Sequence, residues 1–247
     1  MRRELTRGAL AGAAGGAVLA VVLLAAGEGP LQRAIDREGA GGGDELVSRA
    51  GQRVGGVVAA LLVGIALGVA LAFVAEVRAG RARPTDPDHG VAATQAWMSS
   101  VRLAGVAFLV VNLVPLLKYP PNPPGVGDAD TIGTRTGAFL ALVAWSLLVA
   151  WAAGRGWRWL RRQDLPIPLA APAVTVAAAI LVGLAYLVLP AADSPNAIPA
   201  ADVWSFRIAT LAGWAAYWAV AGTVLGWLRL PAGVLTRARF GGARSPA

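Results

Sequence analysis

Six apolar runs, near residues 8–27, 54–75, 102–117, 137–153, 170–189 and 207–228, leave this chain few ways to fold. A helix needs about 20 apolar residues to cross the hydrocarbon core of a bilayer, and these runs approach or reach that length. Lipid offers the backbone no hydrogen-bond partner, so each run has to satisfy its own amides internally, as a helix does. Only 15% of the residues are charged, against about 25% in soluble domains, so lipid has to take the place of the missing polar surface. The expected fold is therefore an all-α, polytopic membrane bundle of about six transmembrane helices in three hairpins, or five if the first run is not a span. It forms one integral-membrane domain over 1–247, with a cytosolic N-terminus at 1–7 and a flexible, basic tail at 229–247.

The third run is short and can borrow a turn from 96–101, with Trp97 at the interface and Arg102 snorkelling outward. The first run, after Met1-Arg2-Arg3, has the outline of a signal peptide. Against that, Gly8, Gly12 and Gly16 recur every fourth residue and give one smooth face for close helix approach in lipid. Gly64 with Gly68, and Gly222 with Gly226, repeat the device in the second and sixth runs. All seven glycines read as packing positions.

With both termini in the cytosol, the inner segments carry 15 basic and 5 acidic residues, and the outer loops 7 basic and 9 acidic. That asymmetry obeys the positive-inside rule, and the inverted topology would break it. It also accounts for the net charge of +8 without a nucleic-acid partner; the bilayer is the partner implied.

The rest of the composition excludes chemistry. The chain has no cysteine, one histidine (His89) and one lysine (Lys118). Disulfides, thiolate metal sites, most imidazole sites and histidine-based triads are thereby removed. Lys118 is followed by tyrosine, so there is no phosphate-binding Gly-x-x-x-x-Gly-Lys-Ser/Thr loop. Within the spans no Ser/His or paired-Asp arrangement occurs, and the chain is expected not to be an enzyme and to hold no bound cofactor.

What remains is an unusual outer loop, Lys118-Tyr119-Pro120-Pro121-Asn122-Pro123-Pro124-Gly125-Val126-Gly127-Asp128, leading to Arg135. Its prolines forbid a helix and hold the backbone extended, while Gly125 and Gly127 admit turns. Such a loop suits a gate or a docking surface as well as a plain connector. Lys118 and Arg207, at outer helix ends, read as anchors that pair with nearby aspartates; Tyr119, Trp204 and Trp227 fit the interfacial belt. A faint repeat relates Asn122, Asp128 and Arg135 to Asn196, Asp202 and Arg207.

The outer carboxylates Glu28, Asp36, Asp128 and Asp202 are candidates to collect a cation at this face. Glu28 and Asp36 also fit a solvated surface with local arginine pairs. Oxygen ligands hold divalent cations weakly where imidazole and thiolate are lacking, which suits passage better than storage. Deeper in, Asn112 lies three residues before Pro115 and can repair the backbone that proline opens or line a pathway. On the inner side, Asp86, Asp88 and His89 form a second, weaker metal candidate, and Arg155, Arg158, Arg161 and Arg162 with Trp157 and Trp159 form a collar suited to anionic headgroups.

The loop Leu117-Lys118-Tyr119-Pro120-x-Asn122-Pro123-Pro124-x-Val126-Gly127-Asp128, with Thr131-Ile132-Gly133-x-Arg135-Thr136, resembles the outer-loop signature of the CbtA family. Leu5-x-x-Gly8-Ala9-x-Ala11-Gly12, Glu28-x-Pro30-Leu31-x-x-Ala34-Ile35 and Trp204-x-Phe206-Arg207 with Trp218 agree with that family's first and last spans. The resemblance implies a cobalt transporter subunit for cobalamin supply, in a prokaryotic plasma membrane, acting with a small one-span partner that bears a histidine-rich end. It also implies five spans, where this chain has six apolar runs, and several inner-loop histidines, where this chain has His89 alone. The expected function is uptake of a divalent transition-metal cation, Co²⁺ first, driven by the membrane potential. The competing expectation is a non-transporting scaffold whose proline loop docks a partner.

Overall fold

The computed structural model describes residues 1–29, 32–33, 48–79, 89–123, 131–191 and 199–230, without the side chains of 89–93. Among these residues the regular structure is all helical, with no strand. The elements are α1 (Arg2–Val22), a π-helical turn (Leu23–Gly27), α2 (Arg49–Ala79), α3 (His89–Ala107), a second π-helical turn (Phe108–Leu113), α4 (Val114–Lys118), α5 (Ile132–Arg162), α6 (Ile167–Val188) and α7 (Ala200–Leu228). Six stretches among the described residues are long and apolar enough to cross a membrane: Arg2–Gly27, Arg49–Ala79, Thr94–Lys118, Ile132–Arg162, Ile167–Val188 and Ala200–Leu228. The chain is a multi-pass helical membrane protein.

Several spans are longer than their apolar runs. α5 runs nine residues past Ala153, through all four arginines of the collar. Hydropathy stops at the first charge, but arginine is a good helix former and lays its stem along apolar surface while its head reaches water. What ends α5 is local. Asp164 adopts a left-handed conformation (φ 55°), the Leu165 amide reaches back to the Leu160 carbonyl (3.2 Å), and Arg161 covers the Leu165 carbonyl (2.6 Å). This six-to-one closure satisfies the last carbonyls of a helix, and Pro166 then starts α6 after a tight turn. The third span extends over Thr94–Lys118, beginning about two turns earlier in the chain than the apolar run. Its π-helical turn lies just ahead of Pro115, whose ring would crowd the carbonyl four residues back in a regular helix.

The chain forms two compact units, one of 1–25, 43–107 and 212–247, the other of 26–42 and 108–211. In the first, α1 and α2 pack antiparallel through small residues. A Cβ built on Gly12 would lie 2.2 Å from the Gly64 carbonyl oxygen, one on Gly8 2.7 Å from that of Gly68, and one on Gly16 2.7 Å from that of Ala60. Lipid supplies no hydrophobic drive between helices, so backbone contact of this closeness is what holds such a pair. Tyr217 of α7 fills the space left by Gly15, is fully buried, and donates to the Gly64 carbonyl (2.8 Å). Gly222 abuts Ala104 and Gly226 abuts Trp97, so Trp97, expected at the lipid interface, instead packs its ring on the last helix.

Charges close one end of this unit. Arg229 donates to Glu4 (3.0 Å) and to Glu76 (2.8 Å), and Glu4 also takes Arg7. The cluster joins the first turn of α1, the last turn of α2 and the end of α7. With Arg229 and Glu4 almost buried, neither charge is left without its counter-ion.

Candidate functional site

The second unit holds the described part of the proline loop, residues 118–123. α4 stops at Lys118 because Tyr119 leaves the helical region (φ −118°, ψ 75°) and Pro120, Pro121 and Pro123 bring no amide hydrogen. Three side-chain bonds then tie this helix end to the end of α6. The Lys118 ammonium donates to the Tyr186 carbonyl (2.8 Å), the Tyr119 hydroxyl to the Pro190 carbonyl (2.8 Å), and the Tyr186 hydroxyl back to the Val114 carbonyl. The last carbonyls of a helix lack intrahelical donors and carry the negative end of its dipole. The chain's one lysine is thus spent on the C-terminus of α6.

Tyr119, expected in the interfacial belt, turns its ring into the protein. It is buried against Ala138 and Leu142, with Phe139, Ala185, Tyr186 and Leu189 around them. Burial pushes its phenol above the ordinary tyrosine range, so it stays a neutral donor at any physiological pH.

Arg207 grips the loop itself. One guanidinium nitrogen donates to the Asn122 side-chain oxygen (2.9 Å) and another to the Pro121 carbonyl (3.3 Å). The two anchors expected to pair with aspartates are therefore held by carbonyl and amide oxygens. Pro123 beside them is buried, so the first half of the loop is packed down.

Asp202, a little over one turn before Arg207 on α7, is 8% exposed and is paired with Arg33 (2.6 Å). Where local arginine pairs were expected for the first outer loop, Arg33 reaches a partner 169 residues away in sequence. A carboxylate this buried is stable as an anion because a guanidinium meets it. A cation arriving at Asp202 therefore has to compete with that arginine.

The other candidates are dispersed. Glu28 is half-buried and has a partner, and Arg135, near the start of α5, is likewise half-buried and engaged. Asn112 is 5% exposed, within the π-helical turn. His89 begins α3. Asp36, Pro124, Gly125, Gly127, Asp128 and Asn196, and with them most of the repeat, lie outside the described residues, as do Asp86 and Asp88. Among the described residues no three His, Cys, Asp or Glu side chains come together to hold a metal ion. The charged side chains that hold the described part of the loop are cationic, Lys118 and Arg207, and both are engaged by oxygen acceptors.

Tyr186 and the Arg33–Asp202 pair escaped the sequence reading. The signal for Tyr186 was faint, a lone tyrosine near the end of a nearly featureless apolar helix. Nothing local marks Arg33 out from its neighbour Arg37.

No curated protein and no solved structure matches this chain. A family model described as "Probable cobalt transporter subunit (CbtA)" matches residues 1–229, which takes in the six spans and the loop tied down by Lys118, Tyr119 and Arg207. With that match over nearly its whole length, the chain belongs to the CbtA family of probable cobalt transporter subunits.

Proposed function

We propose that this chain is the membrane subunit through which a divalent transition-metal cation, Co²⁺ in first place, enters a prokaryotic cell for cobalamin supply. Family membership supports the cargo. The observation that carries the site is the proline loop, pinned to two different spans by Lys118, Tyr119 and Arg207. The loop faces the exterior, both termini lie in the cytosol, and the inner arginine collar fixes that orientation. Inside-negative potential favours inward movement of a divalent cation by about 4.6 kcal/mol per 100 mV, so no nucleotide hydrolysis is needed. The loop acts as a gate, and Arg207 is its latch. Asp128 and Asp202 collect the ion, Glu28 and Asp36 raise its local concentration, and Asn112 lies on the way in. A small one-span partner with a histidine-rich end supplies the imidazoles that this chain lacks around His89. The subunit is no enzyme, holds no cofactor and binds no nucleic acid.

Radiolabelled Co²⁺ uptake by cells lacking other importers tests this. Joint Asp128→Asn and Asp202→Asn substitution should abolish most uptake, and uptake unchanged in the double variant would remove the site assignment. The pairing of Asp202 with Arg33 favours a second reading, a scaffold whose loop docks a partner. A reconstituted chain that passes no divalent cation, with or without that partner, would favour it.

A further inference from the structure

α5 carries four arginines past its apolar run, and the structure does not use them alike. Arg158 and Arg162 follow Arg155 by three and seven residues, and Trp151 and Trp159 stand four to either side of it. That spacing puts all five on one face of the helix. Arg155, Arg158, Trp159 and Arg162, with Gly156 between them, line a cleft of about 370 Å³, within the size range of small-ligand sites. A Cβ built on Gly156 would meet nothing within 4 Å, so the cleft stays open at that point.

Helical side chains lean toward the N-terminus of their helix, and in α5 that direction leads back to the apolar run. Arg155 lies over the Trp151 ring one turn back, 5.1 Å from its centre. The Arg158 guanidinium comes within 3.6 Å of the place a Cβ on Gly154 would take. Both heads are thus drawn toward the bilayer. Their charge is not met by the protein: among the described residues no carboxylate pairs with Arg155, Arg158 or Arg162. Arg161 differs. It projects from another side of the helix, and its guanidinium is spent on the Leu165 carbonyl (2.6 Å).

We propose that this cleft is a discrete site for the phosphodiester headgroup of an anionic phospholipid. Guanidinium forks match phosphate oxygens in pairs, and exposed tryptophans such as Trp151 and Trp159 keep the level of the headgroups. The occupant is a lipid because α5 spans the bilayer and the arginine heads turn back toward it. This goes past a general attraction between a basic collar and a leaflet. It specifies one lipid per chain, three arginine contacts and a fourth arginine that takes no part. It does not rest on the uptake reading.

Native mass spectrometry tests the site on the full-length chain, stripped of lipid in neutral detergent and then given equal amounts of phosphatidylglycerol and phosphatidylcholine. One phosphatidylglycerol per chain should be retained in preference. Arg155→Gln, Arg158→Gln and Arg162→Gln should each weaken that retention about tenfold, the effect of one lost charge-assisted contact. Arg161→Gln should change it by no more than about twofold, because an exposed charge off the cleft is screened. Arg158→Lys keeps the charge but should still lose several-fold, since an ammonium lacks the fork. The substituted positions are exposed, and an unchanged melting temperature without lipid identifies the folded variants; if one unfolds, the others carry the measurement. Equal losses at all four arginines, or retention by R158K equal to that of the unsubstituted chain, would show a diffuse basic surface and overturn the site. Equal retention of the two lipids would overturn it as well. Displacement of the lipid by glycerol 3-phosphate or inorganic phosphate at matching concentration would overturn the lipid as its occupant.

Discussion

Arg207 shows how much one side chain can settle. Its guanidinium spans the Asn122 amide and the Pro121 carbonyl, so a loop already stiffened by proline gains an anchor on α7 beside those that Lys118 and Tyr119 make to the end of α6. Arg207→Gln should release residues 120–123, raising exchange at Asn122, which carries the one backbone amide hydrogen among them, and proteolytic cutting nearby, while the α5–α6 hairpin keeps its protection. Arg207→Lys should fail to restore the contact, because an ammonium cannot reproduce the fork. Tyr119 makes a matching case at the other end of the loop. Tyr119→Phe keeps the ring among Ala138, Leu142 and Phe139 and loses the bond to Pro190, which costs about 1 kcal/mol. Its pH dependence has a definite sign. The phenol's folded pKa is raised, so its contribution is complete below the ordinary value near 10 and is lost as pH rises through the higher folded one. Detergent-solubilised protein should therefore keep this contact across neutral pH and lose it only in strong alkali, a loss the phenylalanine variant would not show.

Elements here cohere through absence of side chain. The α1–α2 pair brings Gly12 and Gly64 so close that a methyl on Gly12 would sit 2.2 Å from the facing carbonyl. Gly12→Val should therefore separate the helices, with loss of monodisperse protein in size-exclusion chromatography. Gly105→Ala and Gly183→Ala, where an added Cβ meets nothing within 4 Å, should leave the elution profile and melting temperature nearly unchanged. The fourth-residue spacing of Gly8, Gly12 and Gly16 announces a smooth face in the sequence. That Tyr217 reaches past Gly15 to the Gly64 carbonyl was not legible, because a single aromatic in an apolar run carries no mark of the groove it will fill. The π-helical turn before Pro115 was half legible: proline announces a disturbed ladder, but only the packed helix chooses between a kink and a wider turn.

For the whole molecule, orientation is the decisive measurement. In a chain without cysteine, single cysteines at Pro121 and at Arg158 should be labelled by impermeant reagents from opposite sides, Pro121 from outside intact cells. Labelling of Arg158 alone from outside would invert the topology and remove the uptake gate with it. The number of spans, their helical nature and their approximate positions were all readable from the six apolar runs. Hydropathy is a local sum and bilayer thickness is a fixed ruler. The tertiary structure alone decided which charges and amides meet. Arg33 with Asp202, Arg207 with Asn122, Lys118 with the end of α6 and Arg229 with Glu4 and Glu76 are pairs far apart in the chain. Such pairs depend on the rotation and register of packed helices. In lipid those are set by close fit of small residues and by buried polar contacts, and a one-dimensional pattern of apolar and polar residues does not record them.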